Sequence, residues 1–162
     1  MTATWTSNRT WVAGEIVTAA LMNTYIRDNL DWLKTPIASK VTAGGIITTS
    51  ASFVDVTSMT ATFTTTGGGI DVLIRCTLAQ TGAATCYLQL VVDGASECYL
   101  CGWVSPAGNS YVPCSLVHHI GALSAGSHTI KVQAKTNANT LTVVSTGSAV
   151  GDNMLYVVER GG

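Results

Sequence analysis

Five cysteines are the side chains of this sequence best suited to redox or metal chemistry. They are Cys76, Cys86, Cys98, Cys101 and Cys114. The spacing Cys98-x-x-Cys101 is that of a redox pair or of half a zinc site. It lies in the strand-like stretch ECYLCGW, whereas the redox motif of thioredoxins opens a helix after a strand.

A metal site would need ligands from elsewhere in the chain. No second Cys-x-x-Cys exists, so zinc would have to recruit Cys114, His118 or His119 from a distance. We therefore predict no metal and no cofactor. Buried free thiols are the simplest interpretation of the cysteines. Disulfides are the alternative: Cys76 and Cys86 flank a tight connection, but the odd number of cysteines leaves the pairing open.

The histidines and acidic residues do not form a catalytic pattern. His118 and His119 are neighbours in a predicted strand, so they point to opposite faces. His128 is expected to hydrogen-bond the backbone of the turn before it. The acidic residues lack the paired spacing of a glycosidase; they include Asp55, Asp71, Asp93, Glu97, Asp152 and Glu159. Nucleophile-elbow, phosphate-loop and zinc-protease motifs are absent from the sequence, so we predict that the protein is not an enzyme.

Aromatic residues flank the predicted loop 105–110. Trp103 and Tyr111, with Tyr99 nearby, could stack on sugars or contact a receptor, which defines a candidate receptor loop. The alternative, which we favour, is that these side chains pack the end of the β-domain or a subunit interface.

The elements that would position these residues are mostly strands. Ile70, Val72, Ile74, Cys76 and Leu78 alternate with less apolar residues and predict a strand with these five inward. Turn signals, among them Asp93-Gly94, separate further short strands. The predicted segments are 70–80, 84–94, 97–104, 113–123, 127–136, 140–147 and 153–160. About eight or nine strands at this spacing favour an all-β sandwich or jelly roll, here residues 37–162.

One helix precedes the strands. Thr18 is a suitable N-cap, and Thr35-Pro36 ends the helical pattern, which predicts a helix over residues 18–34. Its apolar residues recur at three-to-four spacing and form a stripe; they are Leu21, Met22, Tyr25, Ile26, Leu30 and Leu33. With the extended stretch before it, this helix makes residues 1–36 a separate arm.

Charge is unusually scarce. Charged residues make up 10% of the 162 residues, against roughly 25% in an average soluble domain. The net charge of -1 and the absence of a basic run disfavour nucleic-acid binding. No apolar stretch is long enough to cross a bilayer, and the N-terminus does not resemble a secretory signal. We expect synthesis in a cytoplasm, and a surface buried in an assembly, since a weakly charged monomer would self-associate.

The N-terminal stretch TWVAGEIVTAALMNTYIRDNLDWLKTP resembles a segment of many structural proteins of tailed bacteriophages. The shared positions are Trp11, Ala13, Gly14, Glu15, Val17, Thr18, Ala19, Ala20, Met22, Asn23, Ile26, Arg27, Asp28, Asn29 and Leu30. Such proteins occur as tail, fibre and head-attached parts. The resemblance therefore implies a virion protein without specifying its position, and a virion that leaves the cell exposes its cysteines to oxidation.

The C-terminal strands resemble those of tumour-necrosis-factor-like jelly rolls. A Leu-x-Ala-Gly-x-His-Thr turn and a closing Leu-x-Val-x-Glu strand carry this resemblance, at Leu123, Ala125, Gly126, His128, Thr129, Leu155, Val157 and Glu159. Domains of that family are usually homotrimers with an apolar face around the threefold axis. The resemblance therefore implies a homotrimer.

These expectations combine into a non-enzymatic virion protein, most simply a trimeric capsid decoration or head fibre. The helix would pack on sister helices or on the major capsid protein or another virion protein; the alternative is packing against its own β-domain. Arm contacts are expected from Trp5, Trp11, Leu21, Met22, Tyr25, Ile26, Leu30 and Leu33. The other candidates are a tail-tip or fibre-head adhesin that binds host-surface glycan through the receptor loop, and another tail or filament subunit.

Overall fold

Alternating side chains over residues 70–80 produce a strand with one completely buried face. Its inward side chains Ile70, Val72, Ile74, Cys76 and Leu78 are each at most 1% exposed, which confirms the predicted pattern. Successive side chains of a strand point to opposite faces, so the residues between them, apart from buried Thr77, are less buried or exposed. This strand, Ile70–Gln80, is the centre of one sheet.

The structure is a computed structural model that describes residues 6, 9–30, 38–42, 45–105, 110–144 and 153–160. Within these ranges it has ten strands and one helical segment. The strands are β1 (Ala38–Thr42), β2 (Ile46–Thr48), β3 (Val54–Thr65), β4 (Ile70–Gln80), β5 (Ala84–Val92), β6 (Ala95–Ser105), β7 (Ser110–Ile120), β8 (Gly126–Thr136), β9 (Leu141–Val143) and β10 (Asn153–Glu159).

The strands form two antiparallel sheets. In the first, here the β4 sheet, β4 pairs with β7 on one side and with both β10 and β9 on the other. Strand β1 pairs with the far side of β10, and β2 pairs with the far side of β9. The second, the β5 sheet, has the order β3-β8-β5-β6. The described chain crosses repeatedly between two packed sheets, as in a jelly roll. The predicted all-β jelly-roll sandwich with one helix is confirmed, with ten strands instead of eight or nine.

The core lies between the two sheets. Leu88 and Leu90 of β5 and Ile130 and Val132 of β8 are completely buried, as are Leu155 and Val157 of β10. These side chains belong to one apolar cluster that includes the inward face of β4. Burial of each large aliphatic side chain contributes about 1.5–3 kcal/mol, so the sandwich is held mainly by this cluster.

The β5–β6 turn is tied to strand β8. Asp93 and Gly94 both have positive φ, 49° and 86°, as the Asp-Gly signal predicts. The Asp93 carboxylate accepts from the Thr129 amide and lies 2.7 Å from His128 Nδ1. His128 Nε2 lies 2.8 Å from the Ser124 carbonyl oxygen, which confirms the expected backbone contact. The imidazole therefore joins the Asp93 turn to the chain before β8.

Strands β7 and β9 differ from their predicted bounds. Strand β7 begins three residues before the predicted 113 and ends at Ile120. Pro113 lies inside it, which is tolerated because β7 is an edge strand and proline need not donate to a second neighbour. Strand β9 ends at Val143, and the rest of its predicted extent beyond 144 lies outside the described residues.

The chain divides into two compact units, Met1–Pro36 with Gly161 and Ile37–Arg160 with Gly162. In the first unit, α1 (Ala19–Met22) begins after Thr18, whose side chain accepts from the Leu21 amide as predicted. The helix continues as a π-helical turn, Asn23–Arg27. Residues 28–30 are also helical, and the described range ends there. Residues 31–34 of the predicted helix lie outside the described residues. No described helix is long and apolar enough to span a membrane.

Candidate functional site

The stretch before α1 folds onto the helix through Arg9. Its guanidinium carbon lies 5.1 Å from the Trp11 ring centre and 5.6 Å from that of Tyr25. Trp11 and Tyr25 meet edge to face, with ring centres 6.3 Å apart. Arg9 also pairs with Glu15. This cluster of a cation and two rings holds the stretch before α1 against the helical segment.

Asn29, near the end of the described helical segment, binds the backbone of the stretch before α1. Its side-chain oxygen accepts from the Thr6 amide at 2.9 Å, and its side-chain nitrogen donates to the Thr6 carbonyl at 3.1 Å. The side chain is buried and its polar groups are satisfied. Gly14, at φ 83°, makes the turn between the stretch that holds Arg9 and Trp11 and the start of α1. Gly14, Glu15, Thr18 and Asn29 thus have structural roles inside the arm.

Three apolar side chains of the helical segment stay exposed. Met22, Ile26 and Leu30 stand four residues apart and are 43%, 42% and 48% exposed. Side chains four apart lie on one side of a helix, so these three form a continuous line, here named the arm stripe. Leu21 and Tyr25 are half-buried. Of the other predicted contact residues, Trp11 is 42% exposed, and Trp5 and Leu33 lie outside the described residues.

The outer face of the β4 sheet carries an apolar row. Val117 of β7 pairs with Leu73 of β4, which pairs with Tyr156 of β10. Val117 is 70% exposed and Leu73 37%, and Tyr156 is half-buried. Tyr111, at the start of β7, is 59% exposed.

Charged groups lie beside this row, two residues further along β4 and β7. Asp71 accepts from Arg160 and lies 2.9 Å from His119 Nδ1. The Arg160 hydrogen bond, followed by that of His119, holds the pKa of the Asp71 carboxyl below its usual value. The outer face of the β4 sheet is therefore an apolar row bordered by a charged cluster.

The outer face of the β5 sheet carries an aromatic groove, a shallow space of about 380 Å³. Tyr87, Tyr99, Gly102, Cys101 and Lys135 line it. Tyr87 lies opposite Gly102 of β6 on one side and Lys135 of β8 on the other. Tyr99 is 68% exposed.

Phe53 extends the aromatic groove next to β3. Its ring centre lies 5.8 Å from that of Tyr99, at an interplanar angle of 41°. The Lys135 ammonium lies 4.6 Å from the Phe53 ring centre and 5.1 Å from that of Tyr87. Three rings and a cation therefore meet on one exposed surface.

A hydrogen-bonded ladder runs beside these rings across all four strands of the β5 sheet. Ser96 donates to Gln89, whose side-chain amide donates to Gln133 at 2.6 Å. Gln133 in turn donates to Asp55 at 2.6 Å, and Lys131 donates to the same carboxylate at 2.9 Å. The Gln133 and Lys131 hydrogen bonds hold the pKa of Asp55 below its usual value. The ladder fixes the outer face of this sheet.

The structure does not bring the predicted receptor-loop residues onto one surface. Trp103 is half-buried and packs against the core, and its carbonyl lies 3.5 Å from Cys86 Sγ. Tyr111 is exposed on the other sheet. Tyr99, the third aromatic residue near the loop, contacts Phe53 instead. Because residues 106–109 lie outside the described residues, the receptor loop stays a prediction.

Four of the five thiols gather where the edge strands β6 and β7 meet. Cys101 Sγ and Cys114 Sγ are 3.6 Å apart, and Cys114 is the register partner of buried Cys76. Cys86 lies opposite Trp103 on the buried face of β5. Cys98, half-buried, pairs with Leu90 further along β6. All five are free thiols in the structure, so the pairing stays open.

The thiols at this junction differ in acidity. Neighbouring Cys101 and Cys76, by hydrogen bonding, lower the pKa of Cys114, whereas the same contacts together with burial raise the pKa of Cys101 and of Cys76. Burial raises the pKa of Cys86 to about 11. The contact between Cys101 and Cys114 therefore favours ionisation of one thiol of the pair over ionisation of both.

The two neighbouring histidines point to opposite faces, as predicted. His118 Nε2 lies 3.6 Å from Glu97 of β6, and His119 lies against Asp71 on the outer face of the β4 sheet. Among the described residues, no group of three or more histidine, cysteine or acidic side chains is arranged to hold a metal ion.

No protein-family model matches the sequence, and no curated protein matches it either. Among solved structures, the chain is similar to latent PorU of Porphyromonas gingivalis, at 7% identity and a TM-score of 0.42 over 72% of this chain and 11% of that one. A chain of infectious bursal disease virus, Gx strain, gives 9% identity and a TM-score of 0.38 over 78% and 37%. The carbohydrate-binding module CBM36, in complex with calcium and xylotriose, gives 10% and 0.32 over 75% and 97%. Similarity at these TM-scores does not identify a function.

Proposed function

We propose that this protein is a non-enzymatic structural component of a tailed-phage virion, which attaches through its N-terminal arm and displays its jelly roll. The arm stripe is the observation that carries the proposal. Met22, Ile26 and Leu30 expose a line of apolar surface, and such lines mark sites of protein association. Packing against the major capsid protein or another virion protein would remove this surface from water.

The motif shared with phage proteins matches the internal structure of the arm. Trp11, Gly14, Glu15, Thr18 and Asn29 belong to that motif, and each shapes the fold of the segment before α1. The motif positions Met22, Ile26 and Leu30 are instead exposed. Some motif residues therefore shape the arm and others are exposed on it. This supports an arm whose fold presents one surface for attachment.

We further propose a homotrimer with the β4 sheet facing the threefold axis, as in tumour-necrosis-factor-like domains. The exposed row of Val117 and Leu73, beside Tyr156, supports this face as the interface. Three arms on one trimer would multiply individually weak contacts with the particle. A capsid decoration or head fibre fits one short displayed domain, and the protein would reside in the virion after synthesis in the host cytoplasm.

Quantitative mass spectrometry of purified particles tests this function. The chain is expected among the virion proteins at a fixed ratio to the major capsid protein, in a multiple of three copies per attachment site. Complete absence from purified particles, while the chain is abundant in the infected cell, would overturn the proposal.

The aromatic groove favours a second candidate function, a tail-tip or fibre-head adhesin that binds host-surface glycan. Tyr99 of β6 is exposed and, with Lys135 of β8 and with Phe53 just before β3, offers ring faces and a cation on one surface. This surface differs from the receptor loop at Trp103 and Tyr111. The two functions are compatible, because the arm stripe and the aromatic groove belong to different units of the chain.

A further inference from the structure

We propose that the aromatic groove is a binding site for an acidic glycan, with a sugar ring on the face of Tyr99 and a sugar carboxylate at the Lys135 ammonium. This site deepens the adhesin function and rests on it, but it does not depend on attachment through the arm. It lies on the outer face of the β5 sheet, on side chains from β5, β6 and β8 and from Phe53.

The rings provide the stacking surface. Tyr99 is 68% exposed although it belongs to a strand, and Phe53 supports its ring at a 5.8 Å centre distance. An aromatic face carries partial negative charge, which attracts the C–H groups on the flat side of a pyranose ring. Binding to a ring held by a strand costs less conformational entropy than binding to a loop residue.

Lys135 selects for negative charge. Its ammonium lies over the rings of Phe53 and Tyr87, and among the described residues no carboxylate pairs with it. Its neighbour on the same face, Lys131, is instead paired with Asp55 at 2.9 Å. The rings therefore position the Lys135 ammonium, and no described carboxylate neutralises it. Such a cation is complementary to a carboxylate of the ligand.

The floor of the groove is open because β6 has a glycine at position 102. A Cβ at Gly102 would lie 3.4 Å from two atoms of the Tyr87 ring, so a larger side chain would occupy the space beside the ring. The ladder from Ser96 through Gln89 and Gln133 to Asp55 holds the adjacent surface in place. A preformed site of this kind is typical of ligand binding.

Binding of the full-length chain to an immobilised glycan array tests the proposal. The array carries uronic-acid and sialic-acid oligosaccharides and neutral oligosaccharides of matched length. We expect signal on acidic members only, weakened by added salt because the Lys135 contact is exposed to solvent. Equal signal on neutral glycans, or no signal on any acidic glycan, would overturn it.

Variants locate the site. Tyr99→Ala is expected to lower affinity for the best acidic oligosaccharide by about tenfold or more, the effect of removing an aromatic hot spot. Lys135→Met should remove the preference for acidic over neutral glycans, and Gly102→Val should block the groove. Ile47→Ala, which removes an exposed apolar side chain of β2, is the control, and Tyr111→Ala tests the receptor loop as the rival site.

Each variant is first checked by thermal unfolding, so that loss of fold is not read as loss of binding. Equal losses for Tyr111→Ala and Tyr99→Ala would contradict the groove and favour the receptor loop. Particle attachment is expected to be unchanged in Tyr99→Ala, which separates failure of this site from failure of the virion role.

Discussion

Cys101 Sγ lies 3.6 Å from Cys114 Sγ, although β6 and β7 are edge strands of different sheets. A bond between them would tie the two sheets together along one side of the sandwich. Both thiols are only partly buried, whereas Cys76, the other neighbour of Cys114, is 1% exposed. Of the contacts in this cluster, the one between Cys101 and Cys114 is therefore the best placed to become a disulfide.

Oxidised glutathione is expected to form the Cys101–Cys114 disulfide. The thiolate of one of the two cysteines attacks one glutathione sulfur and releases the first glutathione, and the other cysteine then displaces the second. Peptide mapping should find this pair, and the bond should raise the free energy of unfolding by about 3 kcal/mol. Cys101→Ser should abolish both effects and Cys98→Ser neither. A dominant Cys76–Cys114 bridge would contradict this assignment.

The turn before β4 depends on a glycine at position 68. A Cβ at Gly68 would come within 2.2 Å of the Arg160 carbonyl oxygen, and the Gly68 amide donates to buried Glu159. Gly68→Ala must displace backbone and is expected to lower the free energy of unfolding by about 1–3 kcal/mol. Gly121→Ala, where a Cβ meets nothing within 4 Å, is the control. Equal denaturant midpoints for the two variants would contradict the close packing.

The Asp93–His128 contact predicts a pH-dependent stability. The Asp93 hydrogen bond, with that of the Ser124 carbonyl, raises the pKa of His128 in the folded protein. A raised folded pKa stabilises the fold at pH values below the unfolded pKa of about 6.5, and this contribution is lost as pH rises through the folded pKa. Unfolding midpoints should therefore fall across that window.

Asp93→Asn tests the source of this dependence. Asparagine tolerates the positive φ of position 93, so the turn is kept while the charge that favours protonated His128 is removed. The pH dependence across the window should flatten in this variant and in His128→Gln. A slope as steep as in the unmodified protein would show that His128 does not cause it.

The outer face of the β4 sheet predicts the oligomeric state. Val117→Lys places a charge in the apolar row and should convert a trimer into monomers, as measured by light scattering against the 16.8 kDa chain mass. Val104→Lys makes the same change at a valine that is 64% exposed on the other sheet, and the trimer should persist. A monomeric unmodified protein would contradict the trimer directly.

Local sequence patterns predict the strands, but they do not predict the aromatic groove. Alternation from Ile70 to Leu78 predicts β4, and Asp93-Gly94 predicts the hairpin turn between β5 and β6, because both signals lie within a few neighbouring residues. Tyr87 stands between Cys86 and Leu88, which are buried, so local alternation accounts for its outward direction. Its meeting with Lys135 depends on β8 lying next to β5, which is long-range pairing that no local pattern contains.

The same limit applies to the aromatic residues near the predicted loop. Trp103 and Tyr99 are close in sequence, yet a bulge between β5 and β6 lies between them, and Trp103 packs inward while Tyr99 is exposed. Simple alternation would place positions 99 and 103 on one face. One extra residue in β6 therefore separates two side chains that the sequence groups together.

Attachment through the arm stripe is the central claim, and co-sedimentation with particles that lack the protein tests it most directly. Ile26→Glu puts a charge into the stripe, and Ile47→Glu makes the same change at an isoleucine of the β-domain that is 73% exposed. The account predicts that Ile47→Glu sediments with the particles like the unmodified protein and that Ile26→Glu stays in the supernatant. Undiminished sedimentation of Ile26→Glu would contradict it.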